Sequence, residues 1–351
     1  MRPIMLLGFL AIALGASAAG AQSAPYNVLK TAKTGGDGGF DYVYADTAGR
    51  RLYVPRSAPA TPGTPPPHID VFNLDTLAPV GSIPGYSAHG AAVDPKTNHG
   101  FATSKPVVMW DSKTLAPIKT IDVQGGPDGI LFDPFNQRVY ILSHGAPNMT
   151  VINTVDGSIV GTIDLGAAPE QAATDGRGHI YVDLEDKGQI AVIDAKTMAV
   201  TAHYDLGAAD LTPAGLALDA KNHILFAACR NPASMVILNA DTGKIITTLP
   251  IGVGVDGATF NPATLEAFSS QGDGTLTVIK ENSPTSFVVE QTVQTKVSAK
   301  TLTLDAKTGR VLLIAADYAP LPPAEPQTPP GGRARRGPMV PDSFSILAVG
   351  K

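Results

Sequence analysis

The sequence predicts an all-β chain folded as a seven-bladed β-propeller, and three observations carry that prediction. One phrase recurs seven times, each copy divides into four short strands, and the two ends of the repeat array complement each other. The phrase is a small residue, three mostly apolar residues, Asp or Asn, a short turn, and an apolar strand. It is clearest at Gly90-Ala91-Ala92-Val93-Asp94, Gly129-Ile130-Leu131-Phe132-Asp133, Gly215-Leu216-Ala217-Leu218-Asp219 and Gly257-Ala258-Thr259-Phe260-Asn261, with weaker copies ending at Asp46, Asp175 and Asp305. The anchors at 46, 94, 133, 175, 219, 261 and 305 are spaced by 48, 39, 42, 44, 42 and 44 residues, a period that belongs to propeller-type repeats.

The elements of a copy follow in order. The first strand is the phrase itself. The anchor Asp or Asn opens a turn, because its side chain can accept a hydrogen bond from the backbone two residues on. A second strand follows, as in Arg51-Leu52-Tyr53-Val54, Arg138-Val139-Tyr140-Ile141 and His179-Ile180-Tyr181-Val182. The third ends in another Asp or Asn, as in Val107-Val108-Met109-Trp110-Asp111 and Ile190-Ala191-Val192-Ile193-Asp194. The fourth is the least apolar and alternates, as in Ile245-Ile246-Thr247-Thr248-Leu249-Pro250-Ile251. Short β-branched and aromatic runs without a helical period are strands, and four of them per copy make one blade. The last copy offers only three, over 301–304, 311–316 and 344–349. The segment Tyr26-Asn27-Val28-Leu29-Lys30-Thr31 begins no copy of its own, so it is expected to close the seventh blade and remove the open sheet edges.

Composition agrees with this architecture. The 351 residues are 44% hydrophobic and 16% charged, with 36 Gly and 30 Pro for many tight turns. A net charge of −5 gives no global attraction to nucleic acid or anionic membranes. Arg2, the apolar run Ile4 to Leu14 and Ala19-Gly20-Ala21 read as a secretory leader over residues 1–21. The expected product is a single propeller domain over 22–351, periplasmic or secreted, without a membrane span, and a monomer. Cys229 is the one cysteine, so disulfide and cysteine-based zinc or haem sites are excluded within the chain; its apolar setting marks a core thiol.

The strands Arg51-Leu52-Tyr53-Val54, Arg138-Val139-Tyr140-Ile141-Leu142-Ser143 and Ala191-Val192-Ile193-Asp194 resemble the YVTN-type repeats of YncE-like periplasmic propellers. The resemblance extends over nearly all of 26–349 and rests on strand and turn residues. It implies the fold. For function it implies a range, from proteins without known catalysis and one that resembles a binder of single-stranded DNA to cousins among lactonases and dehydrogenase subunits. No set of catalytic residues carries over.

In a propeller, the connections from strand four to the next strand one share a face with the loops between strands two and three. Ligand sites generally use that face and the channel mouth. The residues just before each first strand are Asp41, His89, Asp128, Glu170, Ala214, Asp256 and Lys300. Asp128, Glu170 and Asp256 with His89 are candidate ligands for a divalent cation, since hard cations take carboxylate oxygens. The loops between strands two and three add Arg56, His68, His144, Asn148, Glu185, Asp186, Lys187, Arg230, Asn231, Asp273, Asp317 and Tyr318 to the same face. His144 with Asp128, or Arg230 with Asn231, suits an anionic or sugar-like ligand. Two proline-rich insertions, 55–67 and 319–342, rise from blades one and seven, the second with Arg333, Arg335 and Arg336. They are expected to be extended chain that forms a lip for a partner or an anionic polymer.

The sequence holds no recognisable nucleophile–base pair and no phosphate loop, since Gly35 to Gly39 is not followed by a helical pattern. The expected function is therefore non-enzymatic: binding or scaffolding a protein or small-molecule ligand at the mouth face. The alternative is a metal-assisted lactonase-type hydrolase or lyase with an acidic site there. An acidic chain without an evident basic-aromatic groove argues against nucleic acid as the partner.

Overall fold

The computed structural model describes residues 25–57, 66–208, 211–321 and 336–351. The predicted leader 1–21 lies outside these residues, as do 58–65 and 322–335 of the two proline-rich insertions, with Arg333 and Arg335.

Among the described residues the chain forms seven four-stranded antiparallel sheets. Strand β1 (Asn27–Lys33) comes first. Blade one is β2 (Tyr44–Asp46), β3 (Arg51–Arg56), β4 (His68–Asn73) and β5 (Pro79–Pro84); blade two is β6 (Ala91–Asp94), β7 (His99–Ala102), β8 (Val107–Asp111) and β9 (Pro117–Ile121). Blade three is β10 (Pro127–Asp133), β11 (Arg138–Ser143), β12 (Asn148–Asn153) and β13 (Ile159–Asp164). Blade four is β14 (Pro169–Thr174), β15 (His179–Leu184), β16 (Gln189–Asp194) and β17 (Ala199–Asp205). Blade five is β18 (Pro213–Asp219), β19 (Ile224–Arg230), β20 (Ala233–Asn239) and β21 (Ile245–Pro250). Blade six is β22 (Val255–Asn261), β23 (Glu266–Gln271), β24 (Thr275–Ser283) and β25 (Ser286–Gln294). Blade seven is β26 (Leu302–Asp305), β27 (Arg310–Ala315) and β28 (Ser345–Gly350), completed by β1, which pairs with β28 from Asn27↔Gly350 to Lys33↔Ser345. The predicted closure by the leading strand is what the sheet order shows.

The seven anchors behave as turn chemistry requires. Oδ1 of Asp94, Asp133, Asp175, Asp219, Asn261 and Asp305 accepts from the backbone N–H two residues on, at 2.7 to 3.2 Å. Asp46 reaches the third, Gly49, at 2.8 Å. The turns after strand three repeat the device with a threonine: Asn73, Asp111, Asp194 and Asn239 each accept from the N–H and the hydroxyl of the Thr three residues on.

The core is divided into wedges, one between each pair of neighbouring blades. Tyr53, Val71, Ala91 and Trp110 fill the wedge between blades one and two, and Tyr140, Met149, Ile180 and Val182 the next but one. Each inner sheet is therefore covered on both faces, which is why its strands read as continuous apolar runs. The outer strands β5, β9 and β13 face solvent over most of their length. The small residue that opens the phrase is needed because neighbouring blades approach there: a Cβ on Gly129 would lie 2.5 Å from the Glu170 carbonyl oxygen.

Two features differ from expectation. The first proline-rich insertion begins later than position 55, because Pro55 and Arg56 extend β3 and pair with Ile69 and His68. Arg56, expected to be exposed on the mouth face, is buried. Its Nη2 donates to the carbonyls of Asp37 (3.1 Å) and Gly38 (3.3 Å), and its guanidinium lies 3.8 Å from the centre of the Phe344 ring. Burial pulls its pKa down from the ordinary value despite Asp70. Arg56 thus ties the glycine loop after β1, whose Gly35, Gly36 and Gly38 all have positive φ, to blade one.

Candidate functional site

The residues that precede or begin the first strands converge on one mouth of the central channel. In blades three, four, five and six a break in register falls there: between Pro127 and Ile130, Pro169 and Ala172, Pro213 and Gly215, and Val255 and Ala258. Asp128, Glu170, Ala214 and Asp256 lie within these irregularities. A bulge adds an unpaired residue and turns its side chain out of the pleat, which takes these positions to the mouth rather than into the wedges. The ring backbone is tied from blade to blade as well. Tyr42 N donates to the His89 carbonyl (3.0 Å), Thr103 Oγ1 to the Asp128 carbonyl (2.6 Å), Ser270 Oγ to the Lys300 carbonyl (2.7 Å) and Thr301 Oγ1 to the Asp41 carbonyl (2.5 Å).

The side chains form a chain of ion pairs around the mouth. His89 Nδ1 lies 3.0 Å from Asp41 Oδ2 and 3.4 Å from Asp128 Oδ1, so one imidazole from blade two spans to blades one and three. Lys300 Nζ lies 3.0 Å from Asp41 Oδ1 and also contacts Asp256 Oδ2. Blade five contributes Ala214 at its ring position and has nothing to offer there. Arg230, the last residue of β19 of the same blade, takes its place. Its Nη2 binds Glu170 Oε1 (2.9 Å) and Asp256 Oδ1, its Nη1 binds Glu185 Oε1, and its Nε donates to the Val255 carbonyl (3.1 Å). His144 Nε2 lies 2.9 Å from Glu185 Oε2 and 3.9 Å from Glu170 Oε2.

All eight sequence-predicted site residues, Asp41, His89, Asp128, His144, Glu170, Arg230, Asp256 and Lys300, therefore meet in one network. The four candidate cation ligands divide differently from the expected set. His89 and Asp128 group with Asp41, while Glu170 groups with His144 and Glu185. Asp256 is held by Arg230 and Lys300. Arg230 engages the carboxylates of Glu170, Glu185 and Asp256, and His144 faces the two glutamates. Glu185 is the member whose role a ring count could not supply. His68, from the same loop set, turns back on its own segment, with Nδ1 at 2.8 Å from the Pro66 carbonyl and Nε2 at 3.3 Å from Asp70 Oδ1.

The electrostatics follow from burial. Burial would push the Asp41 carboxyl up, but His89 and Lys300 outweigh it and hold its pKa well below the usual range. The hydrogen bond to Asp41 raises the His89 pKa against the opposing effect of burial. Below the ring, a channel of about 390 Å³ is lined by first-strand residues such as Leu131, Ala172, Ala217 and Thr259. Two side chains span its top. Tyr42 Oη donates to the Glu170 carbonyl (3.3 Å), and burial, then Glu170, keeps this phenol protonated far above its ordinary pKa. Gln171 Oε1 accepts from Leu216 N (2.9 Å) and Ala258 N (3.1 Å), pinning three blades. The mouth thus sits above hydrogen bonds that reach from blade one to blade four and from blade four to blades five and six.

Among the described residues, each histidine ring given a hydrogen-bond partner meets a carboxylate or a carbonyl, at the mouth and on the opposite face alike. Cys229 is fully buried, and burial raises its thiol pKa, so the core role read from the sequence stands.

Seven four-stranded blades around a channel, with ionisable side chains from all seven converging at one mouth, define a seven-bladed β-propeller, a fold compatible with binding or scaffolding. No family model matches the chain, and no curated protein matches it. Among solved structures, a chain of the "Crystal Structure of Mitotic Checkpoint Complex" superposes with a TM-score of 0.70 at 11% sequence identity, covering 88% of this chain and 95% of that one. At that identity the likeness is one of fold alone.

Proposed function

We propose that this chain is an exported, non-enzymatic binding propeller of the YncE-like type, which takes a protein or small-molecule ligand at the face carrying the channel mouth. The observation that carries this reading is the cross-braced ring from Asp128 through His89, Asp41, Lys300, Asp256 and Arg230 to Glu170. Fixed charged groups at a concave, water-open mouth suit recognition, since they are held in place before a ligand arrives. The same bracing argues against catalysis by those groups. A carboxylate engaged by Arg230 or Lys300 is a poor general base, because the cation stabilises its charged form.

The test is native mass spectrometry with elemental analysis of protein purified from its own compartment, repeated for Lys300→Ala and Arg230→Ala. A bound species lost from either folded variant supports the reading. A species that both retain, or crosslinks confined to the opposite face, would sink it. The second reading, a metal-assisted lactonase-type hydrolase, draws on the His144, Glu170 and Glu185 group, whose ligand atoms lie within 4.8 Å of one another. Lactone hydrolysis abolished by Glu185→Gln in a folded protein would favour it.

A further inference from the structure

We infer that His144, Glu170 and Glu185 form a binding site for a divalent cation of the zinc class. This inference rests on the mouth being the binding face and specifies one ligand for it. The two glutamates divide their oxygens in the same way. Each gives Oε1 to Arg230 and turns Oε2 toward His144 Nε2, at 3.9 Å from Glu170 and 2.9 Å from Glu185. Arg230 thereby fixes both carboxylates in orientation, the role an outer-shell group plays for metal ligands. One imidazole nitrogen and two carboxylate oxygens form a donor set that suits zinc and its neighbours, with metal–ligand distances of about 2.0–2.2 Å. Two ligands on one tetrahedral ion at that distance stand roughly 3.4 Å apart, and the two observed separations straddle that figure. A cation would take the place of the contact between His144 Nε2 and Glu185 Oε2. Exposure rises from Glu170 (2%) through Glu185 (21%) to His144 (43%), so the ion has a path in from solvent past the imidazole.

A second observation points the same way. Asp183, on the strand that pairs with the one bearing Glu170, is fully buried, and neither of its carboxylate oxygens has a hydrogen-bond partner. A buried carboxyl without any donor is costly unless it stays neutral or a cation comes near. The charge of Arg230 reaches it, but that guanidinium is already shared by Glu170, Glu185 and Asp256, and a dication at Glu170 would add to it. In the other histidine-centred group, Asp41, His89 and Asp128, Asp41 already shares Lys300 with Asp256.

The full chain, stripped with EDTA and dialysed, is titrated with zinc chloride by calorimetry and with cobalt chloride by visible absorption. One equivalent is expected to bind. His144→Ala and Glu185→Gln should each weaken zinc by about tenfold or more, at least the loss seen when outer-shell groups are removed. His223→Ala, on the opposite face, should leave binding unchanged. Cobalt bound to the wild type should show visible bands that His144→Ala abolishes; this keeps the test decisive if Glu185→Gln fails to fold. No saturable binding up to the solubility limit of zinc overturns the inference. So does binding that survives His144→Ala, or binding lost through His89→Ala instead. A species retained at the mouth without any metal site would overturn this inference alone and leave the binding reading intact.

Discussion

Arg50 and Asp305 form a two-pronged ion pair across the junction of blades one and seven, with Nη1 to Oδ1 at 2.6 Å and Nη2 to Oδ2 at 2.7 Å. The pair lies on the face opposite the mouth. Burial would raise the Asp305 carboxyl, but Arg50 and then Thr308 outweigh it and hold its pKa at about 2. A depressed folded-state pKa gives stability that is complete above the unfolded value, near 4, and is lost as pH falls through about 2. Arg50→Met should therefore cost about 2 kcal/mol at pH 7, and the difference from wild type should vanish near pH 2. Urea melts at several pH values check this; a constant difference down to pH 2 would refute the assignment.

The ring is sealed a second time at Glu266 of blade six. Tyr26 Oη donates to Glu266 Oε2 at 2.5 Å, Lys351 Nζ lies 2.7 Å from Oε1, and Gln291 pairs with both backbone groups of Tyr26. Deleting residues 26–31 should expose the edge of β28 and replace a cooperative melt with early, aggregating unfolding. Tyr26→Phe removes one hydrogen bond and should cost only about 1 kcal/mol. Thermal melts with size-exclusion chromatography separate the two effects. A deletion no worse than Tyr26→Phe would mean that closure contributes little.

Much of this was legible in the sequence because turn chemistry is local. Asp94 and Asp219 announce their turns by residue type and spacing alone, and seven such anchors count the blades. The ring positions Asp41, His89 and Lys300 could be read because connection type decides which face a residue occupies. The pairings could not. Arg230 substitutes for Ala214 because its side chain is long enough to reach Glu170, Glu185 and Asp256, and reach depends on how neighbouring blades are inclined. Arg56 was misplaced for the same reason, since its burial depends on Phe344, nearly three hundred residues away in the chain. Asp183 did leave a trace, an acid within the apolar strand His179-Ile180-Tyr181-Val182-Asp183-Leu184, but that pattern does not reveal a missing partner.

Packing in the wedge between blades one and two sets a sharp contrast between two glycines. A Cβ at Gly100 would overlap the fused-ring atoms of the Trp110 indole, which is fully buried, whereas one at Gly126 would meet nothing within 4 Å. Neither glycine has a positive φ, so the difference is one of space. Gly100→Ala should destabilise by roughly 1–3 kcal/mol, as overpacking does, and Gly126→Ala by little. Trp110 fluorescence during denaturation reports the first directly. Equal midpoints for the two variants would show that the indole can shift at no cost.

Arg230 is the mouth residue whose loss should matter most. Its guanidinium is shared by Glu170, Glu185 and Asp256, and the first and last of these side chains are only 2% and 4% exposed. Removing one partner from a buried ionic cluster leaves the opposite charge under-compensated and typically costs 3–5 kcal/mol. Lys300 still reaches Asp256, so Arg230→Met is expected near the lower end, about 3 kcal/mol. Arg230→Lys should recover only part of this, because an ammonium cannot present the planar fork that engages several carboxylates at once. Denaturation of the three proteins at pH 7 tests both statements together. An Arg230→Met variant as stable as wild type at pH 7 would show that the mouth carboxylates do not depend on this guanidinium, and that the cross-bracing of the ring is incidental to its shape.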